Sequence, residues 1–304
     1  MIYRIRHRTT YTYESTVSYA RCVLRLTPPS TATQTLLDHT ISITPKPSES
    51  LKRAGPFSEE TLTVIIDTPH ETLVIEANSR VDVLAPVIDA AHSPPWEEVR
   101  AAAFKSRVIG PDSPANYLYP TPRTPLTPEI SDYARASFAA ARPIIEAASD
   151  LMTRLNRDFT YDPKATTVST PAAEAFVARR GVCQDFAHIM IAGLRGLGLP
   201  AAYVSGYLRT IPPPGRPRLQ GADATHAWVS LWCGEAHGWI GFDPTNAVLA
   251  QNDHIVLAIG RDYSDVAPID GVTLAPGEQK LKVEVDVIPE NPSVDSHADL
   301  ALSR

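Results

Sequence analysis

A period of two governs the start of the chain. Tyr3, Ile5, His7, Thr9, Tyr11 and Tyr13 alternate with polar or basic neighbours, which is the pattern of a strand that buries one face. A strand of that kind needs partners. Cys22–Thr27, Asp38–Thr44, Thr61–Asp67 and Thr72–Val83 supply further strand patterns, separated by Pro, Ser, Gly and Glu clusters, and Thr68-Pro69-His70-Glu71 reads as a hairpin loop between the last two. With no helical pattern between them, these strands predict a small β-sandwich over residues 1–92. Its histidines, His7, His39 and His70, are spread singly and read as structural or surface residues.

The 304 residues exceed what one average domain needs, so two domains, or one with a large extension, are expected. Residues 93–127 are rich in proline and poor in periodicity and read as a linker. Helical signals begin at Thr127-Pro128-Glu129, an N-cap, an N1 proline and an acidic first turn. Pro143 divides the alanine-rich stretch into two helices, and a third runs from Thr170 to Gly181. The second domain is placed at 128–290, including an alternating late strand at Leu281–Ile288 that could return to either sheet, with a polar tail at 291–304. A net charge of −6 argues against non-specific nucleic-acid binding, which needs basic patches. The N-terminal residues lack an apolar signal core, and no apolar run is long enough for a membrane span. Cys22, Cys183 and Cys233 are odd in number and far apart, which fits reduced thiols better than disulfides. A cytoplasmic location is expected.

Chemistry concentrates after Gly181. Phe186, Met190, Leu194 and Leu197 recur at helical spacing, and Gly198 and Pro200 stop the helix, so Cys183 falls in its first turn. Unpaired N–H groups and the positive dipole end favour a thiolate there, and a backbone N–H can face a developing oxyanion. Alone, such a cysteine is equally a small buried hydrophobe. Downstream, Thr225–Trp232 and His237–Pro244 read as two strands of a hairpin turning at Cys233-Gly234-Glu235-Ala236. If Trp232 faces His237, then His226 faces Asp243, and directly opposed residues lie ~5 Å apart. A thiol, an imidazole and a carboxylate then have separate roles: Cys183 attacks a carbonyl, His226 moves the proton, and Asp243 orients the imidazole. A zinc site is the weaker reading, because these three offer three ligands and no Cys-x-x-Cys or His-x-x-x-His pair supports them.

The runs Gly181-Val182-Cys183-Gln184-Asp185-Phe186-Ala187, Thr225-His226-Ala227-Trp228-Val229 and Gly238-Trp239-Ile240-Gly241-Phe242-Asp243-Pro244-Thr245-Asn246 resemble the bacterial transglutaminase-like family, whose core is related to papain-type cysteine peptidases. Tyr3-Arg4-Ile5, Leu24-Arg25-Leu26-Thr27-Pro28 and the late run Gly260–Pro268 are similar to the same family, so the likeness covers nearly the whole chain. One departure is Gly55-Pro56-Phe57-Ser58-Glu59, where related N-terminal domains often carry a Gly-Asn pair. The resemblance implies an α+β protein, an N-terminal β-sandwich followed by a papain-like core with a helix packed on an antiparallel sheet. It implies a Cys183, His226, Asp243 triad acting on a peptide or protein substrate and leaves open whether water or an amine accepts the acyl group. No Asp-x-Asp-x-Asp-Gly loop is present, so neither calcium nor another cofactor is implied.

Three more residues are candidates for the oxyanion side or the cleft: Tyr161 as a phenol donor, Gln184 beside the nucleophile, and Trp228 as a cleft wall. Asp185 reads as a loop anchor and His188 as packing. The proline-rich loop from Arg209 to Ala224, with Arg216 and Arg218, is a candidate cleft wall. Three functions follow: amide hydrolysis through a thioester, transfer of the same acyl group to an amine, or a non-catalytic scaffold that retains the fold.

Overall fold

The computed structural model describes residues 1–210 and 223–290. The sandwich strands come first: β1 (Ile2–Val17), β2 (Tyr19–Leu24), β3 (Gln34–Thr44), β4 (Glu49–Ala54), β5 (Glu60–Ile66) and β6 (His70–Val83). The core follows with α1 (Trp96–Lys105), a 3-10 turn at Pro114–Tyr117, α2 (Pro128–Arg135), α3 (Ile144–Asp158), β7 (Thr160–Tyr161), α4 (Ala172–Ala178), β8 (Arg180–Gly181) and α5 (Cys183–Gly196). Then come β9 (Ala201–Leu208), β10 (Ala224–Trp232), β11 (Trp239–Asp243), β12 (Val248–Leu249), β13 (His254–Gly260), α6 (Tyr263–Val266), β14 (Ile269–Leu274) and β15 (Gln279–Pro289).

The alternation of β1 does what it predicts. Tyr3, Ile5, His7 and Thr9 are buried, while Arg6 and Arg8 on the other face pair with Glu76. Two four-stranded sheets, β15-β1-β6-β3 and β14-β2-β5-β4, enclose a core that includes Leu24, Val64, Ile66, Leu73 and Ile75. Thr68–Glu71 is not a hairpin loop: β5 pairs with β2 and β4, β6 pairs with β1 and β3, and the loop carries the chain from one sheet to the other.

Both ends of the chain build the sandwich. β14 pairs with β2, and β15 runs along β1 with Ile5 opposite Val287 and His7 opposite Val285. Val285 and Val287 are buried in the sandwich core, so residues 269–289 belong there and not to the catalytic unit that the division at 128–290 assigns them to. Likewise 93–127 is more than a linker. α1 and the 3-10 turn bury Trp96, Val99, Tyr117 and Leu118, and Trp96 Nε1 donates to Ala139 O at 3.0 Å. A ten-residue helix between prolines has too few turns to show its period against them.

The core is a five-stranded antiparallel sheet, β12-β11-β10-β9-β13, with α5 packed on β9 and β10. Thr127 caps α2 by accepting from Ile130 N, and α3 starts directly after Pro143. α4 stops at Arg179, which adopts a left-handed φ of 53°, two residues before the glycine expected to end it. α5 ends as its signals require, with Gly198 at φ 76°. It is buried along most of its length, and even Arg195 is 2% exposed, donating to the carbonyls of Tyr117, Ala201 and Arg261. Among the described residues no helix is long and apolar enough to cross a membrane.

Sandwich and core are tied by buried polar bonds as well as apolar contact. Gln34 donates to Val256 O at 2.9 Å and accepts from Val256 N at 2.8 Å, and His7 hydrogen-bonds the Tyr207 hydroxyl at 2.9 Å. Tyr207, Ile255 and Leu257 of the core sheet lie in the same apolar cluster as the sandwich interior. The loop Gly55–Glu59 also reaches the core, setting Phe57 5.5 Å from Tyr117.

Candidate active site

Cys183 opens α5, and its surroundings are set by the residues beside it. Val182, at the N-cap, has no side-chain acceptor to offer. Asp185 supplies the reciprocal arm, accepting from Val182 N at 2.8 Å and from the Thr166 hydroxyl at 2.6 Å. Burial pushes the Asp185 carboxyl up, while those two hydrogen bonds pull it back. The approach requires a glycine at 181, where a Cβ would stand 2.5 Å from Asp185 Oδ2. Val182 O takes the N–H groups of Asp185 and Phe186. The N–H groups of Cys183 and Gln184 have no acceptor among the described residues, so a carbonyl oxygen over the thiol would meet free donors.

His226 and Asp243 meet, but not in the register expected. Trp232 stands opposite Trp239, not His237, because the turn runs from Cys233 to Gly238 and is longer than four residues. The slip is two positions. Side chains alternate with period two, so a two-residue slip keeps the face and makes the pair diagonal neighbours. His226 Nε2 donates to Asp243 Oδ2 at 2.8 Å. The other ring nitrogen, Nδ1, is left for Cys183, which lines the same cavity and favours the charged imidazole. Burial alone would pull the His226 imidazolium down. The hydrogen bonds and charges of Asp243 and Cys183 outweigh it and raise the group to about 10.

Two residues that the sequence did not single out complete the surroundings of Asp243. His254 Nε2 donates to Oδ2 at 3.1 Å, and Asn246 Nδ2 donates to the same oxygen at 2.7 Å. The backbone N–H groups of Thr245 and Asn246 bond Oδ1 at 3.0 and 3.2 Å. Burial would raise this carboxyl, but His226, His254 and Asn246 hold it far below the usual carboxylate range. Gln251 N donates to His254 Nδ1 at 3.4 Å, which fixes the proton of His254 on Nε2, toward Asp243. His226, Asp243 and His254 bring one ligand atom each within 4.8 Å of one another, so a cation there would compete with these hydrogen bonds. Cys183 is not part of that group.

The other candidates fall in three places. Gln184 lines the cavity beside Cys183, but its amide donates to Val168 O at 3.0 Å and secures that loop. Trp228 is not a cleft wall. It is 2% exposed, stacks on His226 at 6.2 Å between centroids, and fills space left by Gly206 and Gly241. Tyr161 is exposed on β7; partial burial and the nearby Cys183 charge both push its phenol up. Asp185 anchors its loop, and His188 is buried against Tyr203 and accepts from Tyr263 N. Arg209 pairs with Asp253 at 3.3 Å, while residues 211–222 of the proline-rich loop, with Arg216 and Arg218, and the tail at 291–304 lie outside the described residues.

Cys183 and His226 open onto a cavity of about 260 Å³ between core and sandwich. A thiol, a protonated imidazole and two free backbone N–H groups beside one cavity can add sulfur to a carbonyl carbon and protonate the group that leaves.

Two family models match separate parts of the chain. Residues 3–82 match the bacterial transglutaminase-like N-terminal region, and residues 131–244 match the transglutaminase-like superfamily. An uncharacterized protein of Mycobacterium tuberculosis (strain H37Rv) is 40% identical over 297 residues, covering 94% of this chain and 92% of the relative. A protein-glutamine gamma-glutamyltransferase of Pseudomonas aeruginosa is 30% identical over 166 residues, covering 51% of this chain and 24% of that protein. Among solved structures, a Cytophaga hutchinsonii protein described provisionally as a cysteine protease superposes with a TM-score of 0.71 at 20% identity, covering 96% of this chain and 92% of that one.

Proposed function

Because this chain belongs to the transglutaminase-like superfamily and carries its bacterial N-terminal region, we propose that it is a cysteine-nucleophile enzyme that hydrolyses peptide or isopeptide amide bonds through a thioester. The Cys183 sulfur, its proton held by His226, attacks the amide carbonyl, forming a C–S bond while the carbonyl electrons move onto oxygen. The free N–H groups of Cys183 and Gln184 receive that oxyanion. As the carbonyl reforms, the C–N bond breaks and the imidazolium of His226 protonates the leaving amine. Water then attacks the thioester, His226 takes its proton, and the thiolate leaves. Asp243 stays ionised throughout and keeps Nδ1 of His226 toward the sulfur. His254 and Asn246 act through Asp243 and are positioning residues.

The observation that supports a thiol enzyme is the bond from His226 to Asp243 at 2.8 Å, with Cys183 and His226 lining one cavity of about 260 Å³. Acyl transfer is the second reading, favoured by the 30% identity to the Pseudomonas glutamyltransferase. It uses the same thioester and replaces water with an amine. Incubating glutamine-containing and isopeptide-linked peptides with the enzyme, with and without a primary amine, separates the two by mass spectrometry. Free acid as the main product even with the amine present supports hydrolysis, and amine adducts in excess support transfer. No turnover, or equal turnover by Cys183→Ala, would contradict both.

A further inference from the structure

The cavity has a second wall that the reaction steps leave unused. It comes from the sandwich, not the core. β1 contributes His7, Thr9 and Tyr11, and β15 contributes Leu281 and Val283. These side chains share one face by register, because Thr9 stands opposite Val283 and Tyr11 opposite Leu281. Thr9 is almost fully buried, whereas Leu281 and Val283 are 58% and 43% exposed, large apolar side chains held open beside the cavity. The core side of the lining carries Tyr203 and Tyr263 together with Cys183 and His226. Among the described residues that line the cavity there is no aspartate, glutamate, lysine or arginine. His7 adds no charge: it is buried, bonded to Tyr207 and Thr9, and burial pulls it down to about 4, which leaves it neutral at pH 7.

We propose that this wall of the N-terminal sandwich is the subsite for the acyl side of the substrate, and that it takes an uncharged side chain next to the scissile carbonyl. The proposal rests on the reading of Cys183 as the nucleophile, because the occupant is placed by its continuity with that sulfur. A neutral side chain seated on Tyr11, Leu281 and Val283 removes apolar surface from water on both partners. A carboxylate or ammonium in the same place sheds its hydration and finds no counter-charge among the described lining residues. The imidazolium of His226 does not supply one, since it already faces Asp243 and the thiol. The sandwich thereby has a function of its own: it selects the acyl donor, and the core performs the chemistry.

Peptidyl chloromethyl ketones that differ only in the side chain beside the reactive carbon test this on the full-length protein. The Cys183 sulfur displaces chloride, forming a C–S bond as the C–Cl bond breaks, and mass spectrometry reads the rate without any turnover. Leu and Gln reagents are expected to label at similar rates, and Glu and Lys reagents on the order of 100-fold more slowly. Val283→Lys, on an exposed position of the outer strand, is expected to speed the Glu reagent relative to the Leu reagent by about tenfold and to slow the Lys reagent further. Tyr11→Ala is expected to slow the Leu reagent. Equal rates for all four reagents, or ratios unchanged by Val283→Lys, would overturn the proposal. Charge discrimination without turnover of any matching peptide amide would overturn the proposed activity and leave the subsite standing. A Cys183 that none of the reagents labels would overturn both.

Discussion

Asp243 shows how much of the site lies in single residues and how little of that is visible in order along the chain. Its Oδ2 accepts from His226, His254 and Asn246, so the charge that steadies the imidazolium is itself steadied by a second histidine. Hydrogen bonds to charged groups carry about 1.5–3 kcal/mol, so His254→Ala is expected to lower kcat/KM by about 10- to 100-fold. It should also move the alkaline limb of the pH profile, since Asp243 then presses harder on His226. His254→Gln, which keeps a donor, should recover part of the loss; a change in stability with an unmoved profile would contradict the positioning role. Titration gives a second expectation. The His226 value is raised in the fold, so its contribution to stability is full below about 6.5 and is lost as pH rises through about 10. The Asp243 value is lowered, so its contribution is present above about 4 and is lost as pH falls toward the folded value. The stability gap between wild type and Asp243→Asn, from urea melts, should therefore be widest between about pH 4 and 6.5 and narrow toward both ends. Cys183, His226 and Asp243 were legible because each sits in its own local pattern. His254 was not, because β13 reaches the site only by pairing with β9 after the chain has left the hairpin.

At the scale of elements, the hairpin was read correctly in kind and wrongly in register. Gly234 and Gly238 both take positive φ, so the turn spans Cys233–Gly238 where a four-residue turn was expected. The pairing of His226 with Asp243 survived because the error was two residues and not one. Helix ends were the most readable features: Thr127, Pro143 and Gly198 each act locally, through a cap, a missing donor or a left-handed backbone. α1 and β4 went unread for opposite reasons, the first masked by flanking prolines, the second exposed on both faces and so without alternation. Gly206 is the element-scale weak point. A Cβ there would stand 2.1 Å from the Ile255 carbonyl and 2.5 Å from the Trp228 ring. Gly206→Ala is expected to cost at least about 2 kcal/mol in urea unfolding, because a backbone atom must move as well as a side chain. A cost below about 0.5 kcal/mol would show that β9 and β13 yield more easily than their packing indicates.

At the scale of the molecule, the first and last strands of the described residues close one sandwich, and the core helix and sheet sit between them in sequence. Local pattern could mark Leu281–Ile288 as a strand but could not say that it lies along β1, since that pairing joins residues at opposite ends of the chain. Pinning the sandwich to the core through Gln34, His7 and Tyr207 leaves the cavity between the two, with Cys183 and His226 in its lining and no Asp, Glu, Lys or Arg among the described lining residues. All of this has a purpose only if the thiol is activated. The most direct measurement is the rate of alkylation of each cysteine by iodoacetamide at pH 7, resolved by mass spectrometry, in wild type and His226→Ala. Cys22 and Cys233 are buried and serve as internal references. The expected result is that Cys183 alone labels rapidly and that His226→Ala slows it at least about tenfold. A Cys183 that labels no faster in wild type than in His226→Ala would contradict an assembled nucleophile.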